Sequence, residues 1–275
     1  MQTPSPQWAG AHPLPSPDRP GARPAGGVSL GLGTVLRRLW LAVLCGGATS
    51  WAVAADVCSA QSGPQQRLLV ELYTSEGCSS CPPADRWLSS LRGQPQVLAV
   101  AFHVDYWDQL GWPDRFAQPA FTARQQALQR SSGARFVYTP QVLVNGRDWR
   151  QWPQLPAAGV PAQVQLLAER TGAAGVQLTV SPGAGAPARL GLWWALLEDG
   201  HQSAVKAGEN RGDTLRHDHV ARRWVDEGSW LPAAMPRRWT LAAPSHGEGG
   251  RATKLLMVVT DAASGAPLQA LQLGC

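Results

Sequence analysis

Cys78 and Cys81 form a C-x-x-C pair, a spacing that lets two thiols close and exchange one disulfide. The pair follows the apolar run 68–73 and precedes a segment with helical periodicity. A strand leading into a C-x-x-C at a helix start places the first sulfur near helix N–H groups, which favour its thiolate. The pattern therefore predicts redox chemistry, with Cys78 as an exposed nucleophile and Cys81 as a more buried resolving thiol. The alternative is an inert structural disulfide between the same two residues.

A second set of polar and aromatic residues follows the apolar run 97–104, which is typical of a buried parallel strand. His103, Asp105 and Trp107 fall at the end of this run, where α/β sheets gather their functional sites. His103 is a candidate proton shuttle or, together with the two cysteines, a candidate ligand for a soft metal. The alternative is that His103 and Asp105 hydrogen-bond each other while the tryptophans pack the loop.

The elements that must position these residues are predicted in the order β-α-β-α-β-β-α. Turn residues and apolar periodicity place their boundaries. The expected elements are a strand at 68–74, a helix from Pro82 to before Gly93, a strand at 97–104, a helix at about 119–131, a strand ending at the Asn145-Gly146 turn, a return strand from Arg147 and a helix at about 161–170.

Beyond about residue 175 the pattern changes to short apolar strands separated by Gly- and Pro-bearing turns. Strands are expected at 176–180, 189–197, 239–242 and 254–260, as in a β-sandwich. The predicted organisation is a leader at 1–55, an α/β domain at 56–172 and a β-rich sandwich-like domain at 173–275. His217 and His219 are two residues apart, which favours one half-exposed polar strand face over a metal site.

Three separated motifs carry a resemblance to a known fold. They are 76–85 (EGCSSCPPAD), 103–108 (HVDYWD) and 138–141 (YTPQ). With these motifs the chain resembles the thioredoxin superfamily and, within it, a bacterial family of exported thioredoxin-like proteins catalogued as a domain of unknown function. The resemblance implies an α/β thioredoxin-like fold, and a cis Pro140 that acts with Cys78 and Cys81. It also implies a substrate groove lined by Tyr138, Thr139, His103, Asp105 and Trp107.

The leader carries the features of an export signal. Arg37 and Arg38 precede the apolar run 39–44, and an A-x-A-like cleavage site follows at 52–55. Four of the 24 basic residues and one of the 19 acidic residues lie in residues 1–55, which leaves a net charge of +2 after cleavage. This small charge predicts no nucleic-acid partner. We expect a periplasmic or secreted protein with no stable membrane insertion after cleavage.

Signal cleavage would also remove Cys45 and leave four cysteines. Two form the C-x-x-C, and Cys58 and Cys275 stand near the two ends of the mature chain. In an oxidising compartment a structural disulfide between Cys58 and Cys275 is the expected pairing, and two free thiols are the alternative.

Three functional hypotheses follow, and none of them requires a resident cofactor. The first is an exported thiol–disulfide oxidoreductase that acts on cysteines of envelope or secreted proteins, or with a redox partner. The second is a protein that handles copper(I) through Cys78 and Cys81 with help from His103. The third is a non-catalytic binding module in which the disulfide is structural. For the first hypothesis no metal ligands are predicted.

Overall fold

The computed structural model describes residues 58–275 apart from Gly133 and Ala234. The predicted leader and export signal, residues 1–55, lie outside this range. Among the described residues, no helix has both the length and the apolar character needed to cross a membrane.

Strands dominate the described chain. They are Ser59–Gln61 (β1), Leu68–Thr74 (β2), Val97–His103 (β3), Gln141–Val144 (β4), Arg147–Asp148 (β5), Val164–Arg170 (β6), Gly175–Pro182 (β7), Leu190–Glu198 (β8), His201–Ala204 (β9), Thr214–His217 (β10), Val220–Trp230 (β11), Arg237–Ala242 (β12), Thr253–Asp261 (β13) and Pro267–Leu273 (β14). Two α-helices are present in the described range, Pro82–Ser90 (α1) and Pro119–Ser132 (α2).

The strands form three sheets. The largest has eight strands in the order β14-β13-β8-β11-β3-β2-β4-β5, a second has the order β1-β6-β7-β12, and β9 pairs with β10. Strands β2 and β3 are parallel, with Leu68 opposite Val97. On its other side β3 meets β11, also in parallel, and the N–H of Ala101 donates to the carbonyl of His219 over 2.9 Å. This contact joins early and late segments of the chain into one sheet.

The core lies on both faces of the eight-stranded sheet because residues along a strand alternate between its faces. Leu192 and Trp194 of β8 pack on the four-stranded sheet, whereas Trp193 and Ala195 share a cluster with Phe121 of α2. The helix α1 packs on β2 and β3 through Leu88. The start of α1 is therefore held against a fully buried strand.

The predicted fold class, an α/β thioredoxin-like domain followed by a β-sandwich-like domain, is wrong. The described residues hold two helices of nine and fourteen residues beside fourteen strands. One sheet takes strands from both predicted domains, and β1 and β6 join a sheet with β7 and β12. The cause is strand pairing: an apolar run predicts a strand but does not identify the strand beside it, here β11 beside β3.

Local elements follow the prediction more closely. The strands at β2, β3 and β4, the turn at Asn145 and Gly146, and both helices are confirmed. The helix expected at about 161–170 is wrong, because this segment forms β6. Its alternate residues Val164, Leu166 and Ala168 are buried against β7 and the large sheet. A short amphipathic segment fits either period, and the neighbouring strand β7 supplies partners for its backbone.

Candidate functional site

Cys78 and Cys81 are joined by a disulfide in the turn between β2 and α1. The N–H of Cys81 donates to the carbonyl of Cys78 over 3.2 Å, and Cys81 is the N-cap of α1. Pro82 and Pro83 fill the first helical turn, where a missing N–H leaves no intrahelical bond unmade. The sequence thus places the disulfide at the positive end of the helix dipole.

Both cysteines are fully buried, so the prediction that Cys78 is exposed is wrong. One segment that contacts the disulfide turn is residues 205–213, which we call the cap loop; it connects β9 to β10. The Nδ2 atom of Asn210 donates to the carbonyls of Glu76 (2.8 Å) and Cys78 (3.0 Å). At the surface, Glu209 Oε2 accepts from the N–H of Ser79 over 3.0 Å. A loop from the late part of the chain therefore holds the turn that carries the disulfide.

The cap loop has a defined conformation of its own. The N–H of Val205 donates to the carbonyl of Asp213, and the N–H of Gly212 donates to the carbonyl of Val205, both over 2.9 Å. Gly208 has φ +73°, and an added Cβ there would lie 3.2 Å from Trp112 Cβ. Glycine is required here because a side chain would be strained and would press on Trp112.

Ser80 gives Cys78 a polar neighbour. Its Oγ lies 3.4 Å from Cys78 Sγ. In the reduced protein this hydroxyl is placed to donate a hydrogen bond to the Cys78 sulfur.

Behind the disulfide lies a cluster of three carboxyl groups and two imidazoles, which we call the acid–imidazole cluster. Its members are all at least nine-tenths buried: Glu76, Asp85, His103, Asp114 and His217. Asp114 Oδ2 lies 2.6 Å from His103 Nδ1 and accepts from the N–H of Glu76 over 2.8 Å. The two histidine rings are 4.9 Å apart between centroids.

His217 stands between two carboxyl groups. Its Nε2 is 3.3 Å from Glu76 Oε1, and its Nδ1 is 3.9 Å from Asp85 Oδ1. Burial by itself lowers the pKa of His217, but the nearby carboxyl groups of Asp85 and Glu76 outweigh burial and raise the pKa to about 10. Burial raises the pKa of Glu76, and hydrogen bonding, chiefly from His217, holds that pKa below its usual value. At neutral pH these groups form a buried charge-paired set.

Two of the predicted site residues connect to the disulfide turn, Trp107 directly and Thr139 through Trp107. Trp107 packs on Gly77, where an added Cβ would lie 3.0 Å from Trp107 Cβ. The Nε1 of Trp107 donates to Thr139 Oγ1 over 2.8 Å. The peptide bond from Thr139 to Pro140 is cis, and Pro140 is half-buried immediately before β4.

The other predicted groove residues lie elsewhere. His103 is fully buried in the acid–imidazole cluster and has no surface to offer a docked chain. Asp105 Oδ1 accepts from Thr122 Oγ1 of α2 over 2.6 Å, so the expected bond between His103 and Asp105 is wrong. Tyr138 hydrogen-bonds Asp148 at the edge of the large sheet.

Sequence reasoning missed most of the acid–imidazole cluster and the cap loop. The sequence could have identified Asp85 as a site residue, because Asp85 stands four residues after Cys81 and so shares a helix face with it. His217 was expected on a half-exposed strand face, but His217 and His219 are both buried. Asn210 had no local signal, since its partners are more than 130 residues away in the chain.

The metal hypotheses can be compared with this geometry. Among the described residues, the His, Cys, Asp and Glu group that brings its ligand atoms within 4.8 Å of one another is Asp85, His103 and His217. The copper(I) hypothesis, which adds His103 to the two cysteines, stays a prediction.

A second disulfide joins Cys58 and Cys275, the pairing expected from the cysteine positions. Cys58 precedes the edge strand β1 of the four-stranded sheet, and Cys275 follows the edge strand β14 of the large sheet. The bond therefore ties the two sheets together. Two disulfides in one chain are consistent with an exported, disulfide-bonded protein.

Comparisons with solved structures find the same architecture in two bacterial proteins. The X-ray structure of protein AGR_C_4864 from Agrobacterium tumefaciens is similar over 77% of this chain and 96% of its own, with 23% identity and a TM-score of 0.57. HBP35 of Porphyromonas gingivalis is similar over 77% of this chain and 76% of its own, with 15% identity and a TM-score of 0.51. At such identities the likeness concerns the fold.

No curated protein matches the sequence. A family model described as "Protein of unknown function (DUF1223)" matches residues 69–260, which include the C-x-x-C, the cap loop and the whole acid–imidazole cluster. Because this match covers more than half of the sequence, the chain belongs to the DUF1223 family of proteins of unknown function.

Proposed function

We propose that the protein is an exported thiol–disulfide oxidoreductase whose redox-active pair is Cys78 and Cys81. The observation that carries this proposal is a disulfide spanning only two intervening residues at the N-terminus of α1. A thiolate formed at this position is stabilised by the helix terminus and by the Ser80 hydroxyl.

The chemistry is two successive exchanges. In the reductive direction the Cys78 thiolate attacks one sulfur of a client disulfide, and the client's other sulfur leaves as a thiolate. The Cys81 thiolate then attacks Cys78 Sγ, which releases the second client thiolate and forms the Cys78–Cys81 bond. Two electrons pass to the client, and the oxidative direction is the reverse. The reduction potential decides which direction operates.

Burial sets a condition on this chemistry. A sulfur with no exposed surface cannot be attacked, so the cap loop must move before exchange. The contacts to be broken are the two hydrogen bonds of Asn210 and the contact of Glu209 with Ser79. Local opening of such a loop costs less than global unfolding, which makes the loop a gate over the disulfide.

The partners proposed are thiol-containing envelope proteins or a dedicated redox partner in the periplasm or outside the cell. Trp107, Thr139 and Pro140 are half-buried, and the first two are linked to the disulfide turn, so a client chain would meet them once the cap loop opens. Tyr138 and Asp105 lie farther out and are assigned no direct role.

The test is a redox titration of the mature protein in glutathione buffers, with each cysteine followed by alkylation and mass spectrometry. A reversible Cys78–Cys81 couple between about −120 and −270 mV, the range of known exchange proteins, is the expected result. The Cys58–Cys275 bond in the same molecules is the internal control and should stay oxidised. A Cys78–Cys81 bond that persists below about −300 mV would identify a structural disulfide and contradict the proposal.

A further inference from the structure

The acid–imidazole cluster holds buried polar atoms that the disulfide chemistry does not use. Nε2 of His103 and both ring nitrogens of His217 are buried and have no hydrogen-bond partner. Buried polar atoms are normally paired, so these unpaired imidazole nitrogens beside a carboxylate call for a ligand. From this geometry we propose that Asp85, His103 and His217 bind a divalent transition-metal ion. Binding displaces the proton on Nδ1 of His217, which leaves to solvent. The proposal does not depend on the redox function.

The three ligand atoms lie close to the spacing that a metal needs. They are within 4.8 Å of one another, and Asp85 Oδ1 is 3.9 Å from His217 Nδ1. In a tetrahedral site with bonds of about 2.0–2.2 Å, ligand atoms stand about 3.3–3.6 Å apart. Small rotations of the three side chains are enough to close this difference.

Each ligand already has the outer partner that orients it. His103 Nδ1 lies 2.6 Å from Asp114 Oδ2, which leaves Nε2 free to bind a cation. On His217, Nε2 faces Glu76 Oε1 at 3.3 Å and Nδ1 faces Asp85. Carboxylates that hold the outer nitrogen of a histidine are the usual second layer of a metal site.

Asp85 also has an outer hydrogen-bond partner for one oxygen, while its other oxygen faces the proposed metal site. Its Oδ2 accepts from Thr74 Oγ1 over 3.0 Å, while Oδ1 points towards His217. The ligands come from three elements, α1, the end of β3 and the end of β10, so the site is preformed by tertiary packing.

An entry path is also present. A surface cleft of about 270 Å³ runs between the start of α1 and β10, and both Asp85 and His217 line it. Two imidazoles and one carboxylate suit Zn²⁺ or Fe²⁺, and the cleft leaves room for water or a small ligand in the remaining position. The ligand set contains no sulfur, which distinguishes this site from copper(I) binding by the cysteines.

The experiment uses the mature protein with both disulfides intact, so that no thiolate is available to bind metal. After dialysis against Zn²⁺, bound metal is measured by mass spectrometry and affinity by chelator competition. One tightly bound Zn²⁺ per chain is expected. In His217→Gln and Asp85→Asn this binding should be lost, and Asp114→Asn should weaken it by about 10–100-fold. His246→Gln, an exposed histidine, is the matched control and should bind as the wild type does.

Two further measurements guard against misfolded variants. Co²⁺ in the wild-type protein should give the d–d absorption of nitrogen and oxygen ligands without a sulfur charge-transfer band. Zn²⁺ should raise the melting temperature of the wild type and of His246→Gln, because a ligand that binds the folded state stabilises it. Absence of stoichiometric Zn²⁺ in the wild type, or equal binding by the well-folded Asp85→Asn, would overturn the proposal. Redox behaviour is not read in this experiment, so its outcome is separate from that of the proposed function.

Discussion

The two disulfides of this chain differ in almost every respect that matters to their roles. Cys58 and Cys275 are 217 residues apart, one half-buried and one exposed, and they join the edges of two sheets. Cys78 and Cys81 are three residues apart, fully buried, and placed at the start of a helix under a loop. The first bond links the two ends of the described chain, and the second closes a single turn.

The difference in loop length determines how much each disulfide can stabilise the folded state. In the chain-entropy description, closing a loop of more than 200 residues stabilises the folded state by about 5 kcal/mol, whereas closing four residues contributes about 2 kcal/mol. The Cys78–Cys81 pair instead has a helix terminus, a serine hydroxyl and a cap loop around it. The surroundings of Cys78–Cys81 favour thiol–disulfide exchange, whereas those of Cys58–Cys275 favour a structural link between the two sheets.

The largest expected effect separates the two bonds by stability. The double variant Cys58→Ala/Cys275→Ala should lower the free energy of unfolding by about 5 kcal/mol, because the unfolded chain regains its freedom. In the variant Cys78→Ala/Cys81→Ala the free energy of unfolding should fall by about 2 kcal/mol. Urea unfolding followed by tryptophan fluorescence measures both. Equal losses would break the comparison and assign a structural role to both bonds.

The next effect concerns the gate. Asn210→Ala removes two hydrogen bonds and leaves the carbonyl of Glu76 without its donor, at a cost of about 1–3 kcal/mol to the closed loop. Reduction of Cys78–Cys81 by a small phosphine should therefore become about tenfold faster or more. The rate at Cys58–Cys275 should not change. Alkylation and mass spectrometry at timed intervals give both rates.

Ser62→Ala is the control for this variant. Ser62 Oγ accepts from the N–H of Leu166 in the four-stranded sheet, far from the cap loop in the sequence. This change removes a buried hydrogen bond of the same kind without touching the disulfide turn. If it accelerates reduction as much as Asn210→Ala does, general destabilisation rather than the cap loop controls access.

The smallest expected effect is a pH dependence of the reduction rate that arises from the contact between Glu209 of the cap loop and Ser79. Hydrogen bonds from the side chain and backbone N–H of Ser79 lower the pKa of Glu209 below its usual value. The contact is therefore complete above the ordinary glutamate pKa of about 4.3 and is lost as pH falls through the lower folded value. At pH 7 the Cys78–Cys81 bond of the Glu209→Gln variant should be reduced faster than that of the wild type, by less than about threefold.

Measuring the wild type and Glu209→Gln again at low pH checks the direction of this pH effect. As the wild-type carboxylate becomes protonated, the ratio of the two phosphine-reduction rates should approach one. A ratio that grows on acidification would mean that Glu209 acts on the disulfide in some other way.

Much of the local structure was predictable. The apolar runs of β2 and β3, the two prolines at the start of α1 and the Asn145-Gly146 turn determine their elements through backbone and burial preferences that act over a few residues. The C-x-x-C also indicated by itself which two cysteines would form the short disulfide. The short segment at β6 was misread because its apolar residues fit a helix as well as a strand.

The candidate site itself was mostly beyond sequence reasoning. His103 was identified, but its partner Asp114 and its neighbour His217 lie 11 and more than 100 residues away, and nothing local selects them. The turn that carries Cys78 is held by Asn210, which no local pattern marks.

The sequence by itself indicated both disulfide pairs and determined most of the strands, since these depend on residue type and spacing. Only the tertiary structure decided that β11 lies beside β3, that the cap loop bonds the disulfide turn and that Asp85, His103 and His217 come together. These features depend on which distant segments pair, and backbone hydrogen bonding is nearly the same for any pair of strands. The choice is made by the packing of the whole core.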